Sequence, residues 1–251
     1  MFRLLFIIFC ILPILCNAET IPSARIVAGK TVSEYTTPVA YFDYNYAYFG
    51  KEGFCSGVLI APNKILTAAH CVADGVGNIS NKIFKYTVKI GGKKIKIKKV
   101  VVEPDYNEWD GINDLAIITL AQKAPLKPWP IYLRQKVRRG SKTYFYGYGV
   151  DYSSHSRILK RGIAMIRYSD LGRLYSKLKF GMDIPCFGDD GGPVTLVKNG
   201  KEIGIVGIIR ILWSEDLNCW ENPYFSATAL KKYYYDIKGF IKKEAPKAKF
   251  L

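Results

Sequence analysis

The chain has 251 residues, of which 49% are hydrophobic and 14% aromatic, and its formal net charge is +16. This composition excludes an intrinsically disordered chain and suffices for one large hydrophobic core or two smaller ones. The excess of basic residues predicts attraction to anionic surfaces such as sulfated glycans, nucleic acid or acidic lipid, and solubility alone is the alternative explanation.

The first 18 residues have the pattern of a signal peptide. Arg3 supplies a positive charge, the Leu4–Leu15 run is apolar, and Ala18 ends the segment with a small residue. The apolar run is shorter than the roughly 20 residues of a transmembrane helix, and no later apolar segment is long enough to span a membrane. We therefore expect a secreted, extracellular protein without a transmembrane segment.

Short β-type runs, separated by Gly, Pro, Asn and Asp, follow from residue 26 onward. Their spacing is typical of an all-β barrel or sandwich. Helical periodicity occurs only near the end, where apolar residues follow helical steps from Leu230 to Ile241 and Pro246 stops the pattern. Three prolines within residues 122–130 mark a break between two halves.

The six cysteines fall into two groups. Cys10 and Cys16 lie inside the signal segment, which leaves four in the mature chain. An even number in an exported protein favours disulfides, although spacing alone does not choose among the three possible pairings. No CxxC motif is present and the chain has two histidines, so we expect no metal site. The four remaining cysteines are Cys55, Cys71, Cys186 and Cys219.

Three motifs carry the chemistry of this sequence. Leu66–Cys71 has the sequence LTAAHC, Asn113–Ala116 has NDLA, and Cys186–Pro193 has CFGDDGGP. In this order they resemble the histidine, aspartate and nucleophile motifs of the trypsin-like serine proteases, the chymotrypsin family. The resemblance extends from residue 25 to about residue 243, with Arg25–Gly29 matching the start of the mature domain.

The resemblance implies a fold of two antiparallel six-stranded β-barrels followed by a C-terminal α-helix. It also divides the chain into a leader and a single trypsin-like domain. The expected boundaries are 1–18 for the signal peptide, 19–25 for a short propeptide, 26–251 for the domain, roughly 26–125 and 130–230 for the two barrels, and about 229–243 for the helix.

The resemblance assigns catalytic positions to individual residues. In the family a serine hydroxyl attacks the carbonyl, a histidine takes its proton, an aspartate orients the histidine, and backbone N–H groups stabilise the oxyanion. His70 matches the histidine, Asp114 the aspartate and Gly188 an oxyanion donor. Asp190 stands where the family has its serine. A carboxylate is a weak nucleophile toward amides and has no proton to give, so we expect a pseudoenzyme with a degenerate triad.

The replacement also predicts an ion pair. A carboxylate at Asp190 would place His70 between two acids, where the imidazole prefers its charged form. A metal held by the same side chains is not expected, because in the family geometry that the resemblance implies the imidazole separates the two carboxylates and the three do not converge on one point.

The primary specificity pocket of the family is expected to be blocked here. Ile184 matches the base of that pocket and offers no carboxylate to a basic substrate side chain. Gly207, Ile208 and Ile209 match one wall, and Tyr224 matches the opposite wall, where the family has small residues. An enlarged pocket edge that still binds a ligand is the alternative interpretation.

Activation follows from the resemblance as well. Cleavage after Arg25 would free the amine of Ile26, which would insert and pair with Asp189. A chain that is never processed is the alternative. The disulfides that the resemblance implies are Cys55–Cys71 and Cys186–Cys219.

The basic residues cluster between positions 82 and 99, where the chain has eight lysines and no acid. Lys94, Lys96 and Lys98, which we call the lysine row, alternate with isoleucines and would share one face of a strand. Two interpretations stay open: a binding site for an anionic partner, or an edge strand protected by lysine. No aromatic residue is interleaved with the lysines of positions 93–99, so sequence-specific binding of nucleic acid is not expected. The candidate anion-binding residues are Lys93, Lys94, Lys96, Lys98 and Lys99.

These observations predict a secreted, catalytically inactive trypsin-like serine protease homologue that acts by binding, as a protease cofactor, a decoy or a surface-recognition protein. The first alternative is a protein that binds heparin, another glycosaminoglycan or an anionic surface through the lysine row. The second alternative is a residual serine-type endopeptidase with an atypical site. We expect no cofactor, and either a protein or an anionic glycan as partner.

Overall fold

The structure is a computed structural model of the chain. Its regular secondary structure is almost entirely antiparallel β-strand, with one α-helix and two short 3-10 helices among the described residues. The described residues are 29–45, 52–73, 78–79, 81–107, 109–149, 157–170, 172–177, 183–210, 224–231 and 236–251.

The first half of the chain forms a closed antiparallel barrel of six strands. Its strands alternate buried and exposed residues where one face meets solvent, and the last of them is buried at all five positions. Apolar residues of these strands fill one continuous core. In chain order the strands of this half are β1 (Lys30–Thr31), β2 (Val39–Asn45), β3 (Glu52–Ala61), β4 (Lys64–Thr67), β5 (Thr87–Ile90), β6 (Lys93–Val102) and β7 (Ala116–Leu120), and the barrel order is β2-β3-β4-β7-β6-β5.

The second half forms an eight-stranded antiparallel sheet around a second core. The predicted all-β, trypsin-like fold is confirmed, although the second sheet has eight strands and not six. Seven of them come from this half, and β1, from the first half of the chain, joins the sheet at one end while β10 forms the other end. The strands are β8 (Lys142–Gly147), β9 (Lys160–Met165), β10 (Tyr168–Asp170), β11 (Arg173–Lys177), β12 (Pro193–Lys198), β13 (Lys201–Ile209) and β14 (Tyr224–Ala229), and the sheet order is β1-β9-β8-β12-β13-β14-β11-β10.

The C-terminal segment joins the two halves. Ile131, just after the predicted break between them, bridges to both Ile205 of β13 and Phe250 near the C-terminus. Ile208 of β13 and Ile241 of the C-terminal helix belong to the same hydrophobic cluster as the first barrel. The two halves therefore share a core at their contact, which fixes the loops that meet there.

The C-terminal helix α1 (Ile237–Glu244) begins later than the predicted 229–243. Asp236 caps it, since its side chain accepts a hydrogen bond of 2.7 Å from the Gly239 N–H. Ala229 instead ends β14, where it pairs with Gly207 of β13. The predicted helix is thus confirmed from Ile237 onward, whereas Ala229 completes a strand ladder, and residues 232–235 lie outside the described residues.

The predicted Cys55–Cys71 disulfide is present. It ties β3 to the 3-10 helix Ala69–Cys71, which carries His70. Cys186 is disulfide-bonded as well, while Cys219, its expected partner, lies outside the described residues. In the part of the chain that is described, no helix has the length and apolarity to cross a membrane.

Removal of the Cys55–Cys71 crosslink should destabilise the protein. The two cysteines are 16 residues apart, and a crosslink that closes a loop of this size stabilises by about 3 kcal/mol. The Cys55→Ala/Cys71→Ala variant should therefore unfold at clearly lower denaturant concentration in urea titrations monitored by circular dichroism. The single Cys55→Ala variant loses the same crosslink, so its unfolding midpoint should fall by a comparable amount. An unchanged midpoint in both variants would contradict the prediction.

Candidate functional site

Strand register brings His70 and Asp114 together. β4 and β7 are antiparallel neighbours in which Thr67, the last residue of β4, pairs with Ala116, the first of β7. His70 follows Thr67 by one short turn, and Asp114 precedes Ala116 by two residues. Both side chains therefore lie at the same edge of the first barrel.

Asp114 holds His70 through two hydrogen bonds. The His70 backbone N–H donates to Asp114 Oδ1 at 3.0 Å, and the ring Nδ1 lies 2.7 Å from Asp114 Oδ2. The Asp114 carboxylate is fully buried, and the His70 side chain is 13% exposed. The acid thus fixes the position of the imidazole and directs Nε2, its other nitrogen, away from the barrel.

Asp190 faces that second nitrogen. Its Oδ1 lies 3.7 Å from His70 Nε2, at ion-pair distance and beyond that of a direct hydrogen bond. The Asp190 carbonyl accepts a hydrogen bond of 2.7 Å from the Ser56 N–H, so β3 anchors the loop that carries it. The predicted contact between Asp190 and His70 is therefore present.

The loop before Asp190 is packed tightly onto β3. Gly188 has a φ of +92°, and a Cβ there would lie 2.1 Å from the Phe54 ring, so only glycine fits. The Gly188 carbonyl accepts a hydrogen bond of 2.7 Å from the Ser56 hydroxyl, which itself accepts one of 3.0 Å from the Tyr148 N–H. Ser56 therefore links this loop to both halves of the molecule.

Arg210 is a member of the site that the sequence did not reveal. It follows β13, and its Nε lies 3.2 Å from Asp114 Oδ2. Its guanidinium occupies the space beside Gly111, where a Cβ would lie 2.0 Å from it. The only signal in the sequence is that Arg210 is the first charged residue after the apolar run of β13, and that does not identify its partner.

Four charges therefore alternate in sign, which we call the charge array: Arg210, Asp114, His70 and Asp190. Burial alone lowers the pKa of His70, but the charge and hydrogen bond of Asp114, followed by the charge of Asp190, outweigh it and raise the pKa to about 9. Burial likewise opposes ionisation of Asp114, yet His70 and then Arg210 hold its pKa below the ordinary value. An imidazole that is already protonated at neutral pH has no lone pair with which to accept a proton.

Asp189 is buried on the other side of the same loop. Its carboxylate accepts hydrogen bonds from the Gly149 N–H at 2.7 Å and the Cys186 N–H at 2.8 Å. Burial raises its pKa to about 7, against the effect of these two bonds, and the nearby Asp190 adds to the rise. Arg25 and Ile26, the residues of the predicted activation site, lie outside the described residues.

The predicted pocket residues are only partly brought together. Ile184 and Ile209 belong to the buried core of the second half, and a Cβ on Gly207 would meet Leu174 of that same core. Ile208 is turned the other way, into the core shared with the first barrel, because side chains alternate along β13. Ile208 is therefore wrong as a wall residue.

The remaining pocket residue, Tyr224, begins β14, but its side chain lies outside the described residues. Blockage of the pocket thus stays a prediction, supported on one side by the buried Ile184 and Ile209.

One group of side chains in the described part of the chain has the composition of a metal site. The ligand atoms of Cys55, His70 and Cys71 lie within 4.8 Å of one another. Both sulfurs are joined in the disulfide, so they offer no thiolate to a metal ion.

Comparison with known proteins gives a consistent result. A family model described as Trypsin matches residues 26–224. Trypsin 5G1 of Aedes aegypti is 28% identical over 204 residues, which cover 73% of this chain and 75% of that protein. Granzyme C of Mus musculus is 29% identical over 161 residues, or 58% of each. A solved structure described as HL collagenase has a TM-score of 0.68 and 17% identity, and it covers 87% of this chain and 98% of its own, a likeness of fold alone.

The charge array predicts a titration of His70 far above that of an ordinary histidine. NMR of the imidazole should give a pKa of about 9. Replacement Asp190→Asn removes one of the charges that raise this pKa, so the pKa should fall in that variant. The control Asp170→Asn removes an equal charge from the exposed strand β10 and should leave it unchanged.

The same shift has a consequence for stability. Since the pKa of His70 in the folded protein lies above the ordinary 6.5, protonation contributes stability that is complete below about pH 6.5 and is lost as the pH rises through about 9.

In the titration by NMR, a pKa of the wild-type His70 imidazole near or below 6.5 would contradict the charge array.

Proposed function

The chain belongs to the trypsin family of serine proteases, and from that premise we propose that it is a secreted, catalytically inactive member that acts by binding. One observation carries the proposal: a carboxylate, that of Asp190, lies 3.7 Å from His70 Nε2. In the family's mechanism this nitrogen takes a proton from the attacking serine hydroxyl.

Asp190 removes three requirements of that mechanism together. Its carboxylate carries no proton for His70 to accept and is a weak nucleophile toward an amide. Its charge adds to the larger effect of Asp114 in raising the pKa of His70, which disfavours the neutral imidazole that a general base requires. Its negative charge opposes the charge that develops on a substrate carbonyl oxygen beside Gly188.

Arg210 adds a second departure from a working site. Its guanidinium shares the Oδ2 atom of Asp114 with the imidazole of His70. A cation at this distance opposes the positive charge on His70 that the mechanism forms only transiently. Arg210 thus lowers the pKa of His70 while Asp114 and Asp190 raise it, and the contacts among the four side chains form an ion network that favours a structural role.

Two features support secretion. The first 18 residues match a signal peptide, and disulfides such as Cys55–Cys71 persist in oxidising compartments outside the cytosol.

The proposal that the protein acts by binding rests on its rigid scaffold. Gly188 and Gly191 let the loop around Asp190 pack closely against the first barrel, and a rigid loop of this kind supports a role in binding. A protease cofactor, a decoy and a surface-recognition protein are the roles that fit such a scaffold.

Reversion of the nucleophile should not restore proteolysis. In Asp190→Ser the hydroxyl is supplied, but Arg210 still competes for Asp114, and Ile184 and Ile209 still fill the core side of the predicted pocket. We expect no detectable turnover of a broad peptide library by this variant. Hydrolysis by Asp190→Ser would mean that Asp190 is the single lesion and that the pocket accepts a substrate.

The unmodified protein gives the direct test of inactivity. The same library, incubated with protein that begins at Ile26, should remain intact. Sustained cleavage that disappears in the His70→Ala variant would overturn the proposal and identify a residual endopeptidase.

Processing after Arg25 should stabilise the protein. The freed amine of Ile26 would offer a cationic partner to Asp189, whose buried carboxylate has a pKa raised to about 7. Protein that begins at Ile26 should therefore melt at higher temperature near pH 8 than protein that retains residues 19–25. The difference should vanish in Asp189→Asn, and equal midpoints for the two wild-type forms would contradict insertion.

A further inference from the structure

The lysine row lies on the outer face of β6. Lys94, Lys96 and Lys98 are exposed, and the intervening Ile95 and Ile97 are buried in the first barrel. Every exposed position of this strand carries a lysine. The alternation predicted from the sequence is therefore present, and the lysines project to solvent in one line.

The strand is not an edge. The first part of β6, Lys93–Lys96, pairs with β5, and the second part, from Ile97 onward, pairs with β7; both partners belong to the closed barrel. A closed barrel has no terminal strand for lysines to protect from aggregation. Its closure therefore favours a binding role for the lysine row over edge protection.

The positive charges are also not compensated within the described residues. Lys94 lies directly across from Lys89 in the β5–β6 ladder, and like charges in opposed positions destabilise a sheet. The Lys89 ammonium instead lies 4.6 Å from the centroid of the Tyr41 ring. The ion pairs formed among the described residues include none to Lys94, Lys96 or Lys98.

Lys99, the last of the candidate anion-binding residues, has a different role. Its ammonium pairs with Glu244 of α1 at 3.1 Å. A register shift between Ile97 and Lys99 places Lys98 at a bulge, after which the strand turns Val100 inward. The bulge therefore ends the row at Lys98, and Lys99 instead forms an ion pair with the C-terminal helix.

We propose that the lysine row, with Lys93 and Lys89 beside it, binds a linear sulfated polysaccharide. Alternate residues of a strand are about 6.7 Å apart, so the row presents three ammonium groups over roughly 13 Å. A single line of regularly spaced cations is complementary to a single chain with sulfates along its length. Binding to single-stranded nucleic acid draws on stacked aromatic side chains, and binding to a membrane draws on apolar side chains, which the exposed positions of β6 do not provide.

This surface is independent of the charge array at His70 and of whether the protein has catalytic activity. An anionic ligand would relieve the repulsion between Lys89 and Lys94, and it would exchange small counterions for its sulfates. Affinity should therefore fall as the salt concentration rises.

The experiment compares two variants of the full mature chain that lose equal charge. The first is Lys94→Gln/Lys96→Gln/Lys98→Gln, and the second is Lys238→Gln/Lys242→Gln/Lys243→Gln, which alters three exposed lysines of α1. The probe is a short heparin oligosaccharide, and its affinity is measured by titration calorimetry at several salt concentrations. Circular dichroism melts establish that both variants are folded.

We expect the lysine-row variant to lose roughly tenfold or more in affinity and the salt slope to fall by roughly two to three. The α1 variant should stay close to wild type, and replacement of the row by arginine should preserve binding. An equal loss in both glutamine variants would overturn the proposal in favour of net charge alone. Unchanged affinity, or a loss confined to phosphatidylserine vesicles or single-stranded DNA, would also overturn it. Asp190→Ser should bind heparin like wild type, so failure here is separable from failure of the proposed inactivity.

Discussion

The buried carboxylate of Asp114 is the constraint on which the arrangement of this site depends. A fully buried anion is costly unless it has charged or hydrogen-bonding partners, and this one has both His70 and Arg210. His70 comes from the first barrel and Arg210 from the end of β13 in the second half. The partners that the Asp114 carboxylate requires therefore come from both halves and hold them together at their contact. Asp190 completes the alternation of charge on the far side of His70.

The same contact also depends on the close approach of backbone segments. Ser56 binds both the Gly188 carbonyl and the Tyr148 N–H, while a Cβ on Gly191 would lie 2.1 Å from Thr67 Oγ1. Such packing keeps the loop around Asp190 in one position without any contribution from catalysis. A scaffold held in this way can serve as a rigid binding surface, and the lysine row lies on a strand of the same barrel that carries His70.

Much of the candidate site could be predicted from the sequence, because motif order and spacing identify residues whose positions the fold repeats. The contacts of His70 with Asp114 and Asp190 and the Cys55–Cys71 disulfide were of this kind. Arg210 was missed because its partner is distant in the chain and only the pairing of β12 with β13 determines where β13 ends in space. The orientation of Ile208 was predicted wrongly. The two faces of β13 meet different cores, and the sequence does not show which face meets which core.

By itself, the sequence determined the local patterns: the alternation of lysine with isoleucine, the turn glycines and the residue types of the motifs. These follow from side-chain periodicity and backbone conformation, which act over a few neighbouring residues. Only the tertiary structure decided that β6 lies within a closed barrel, that the Glu244 carboxylate pairs with Lys99 and that Arg210 reaches Asp114. Those outcomes depend on contacts between residues far apart in the chain, and no local pattern specifies such contacts.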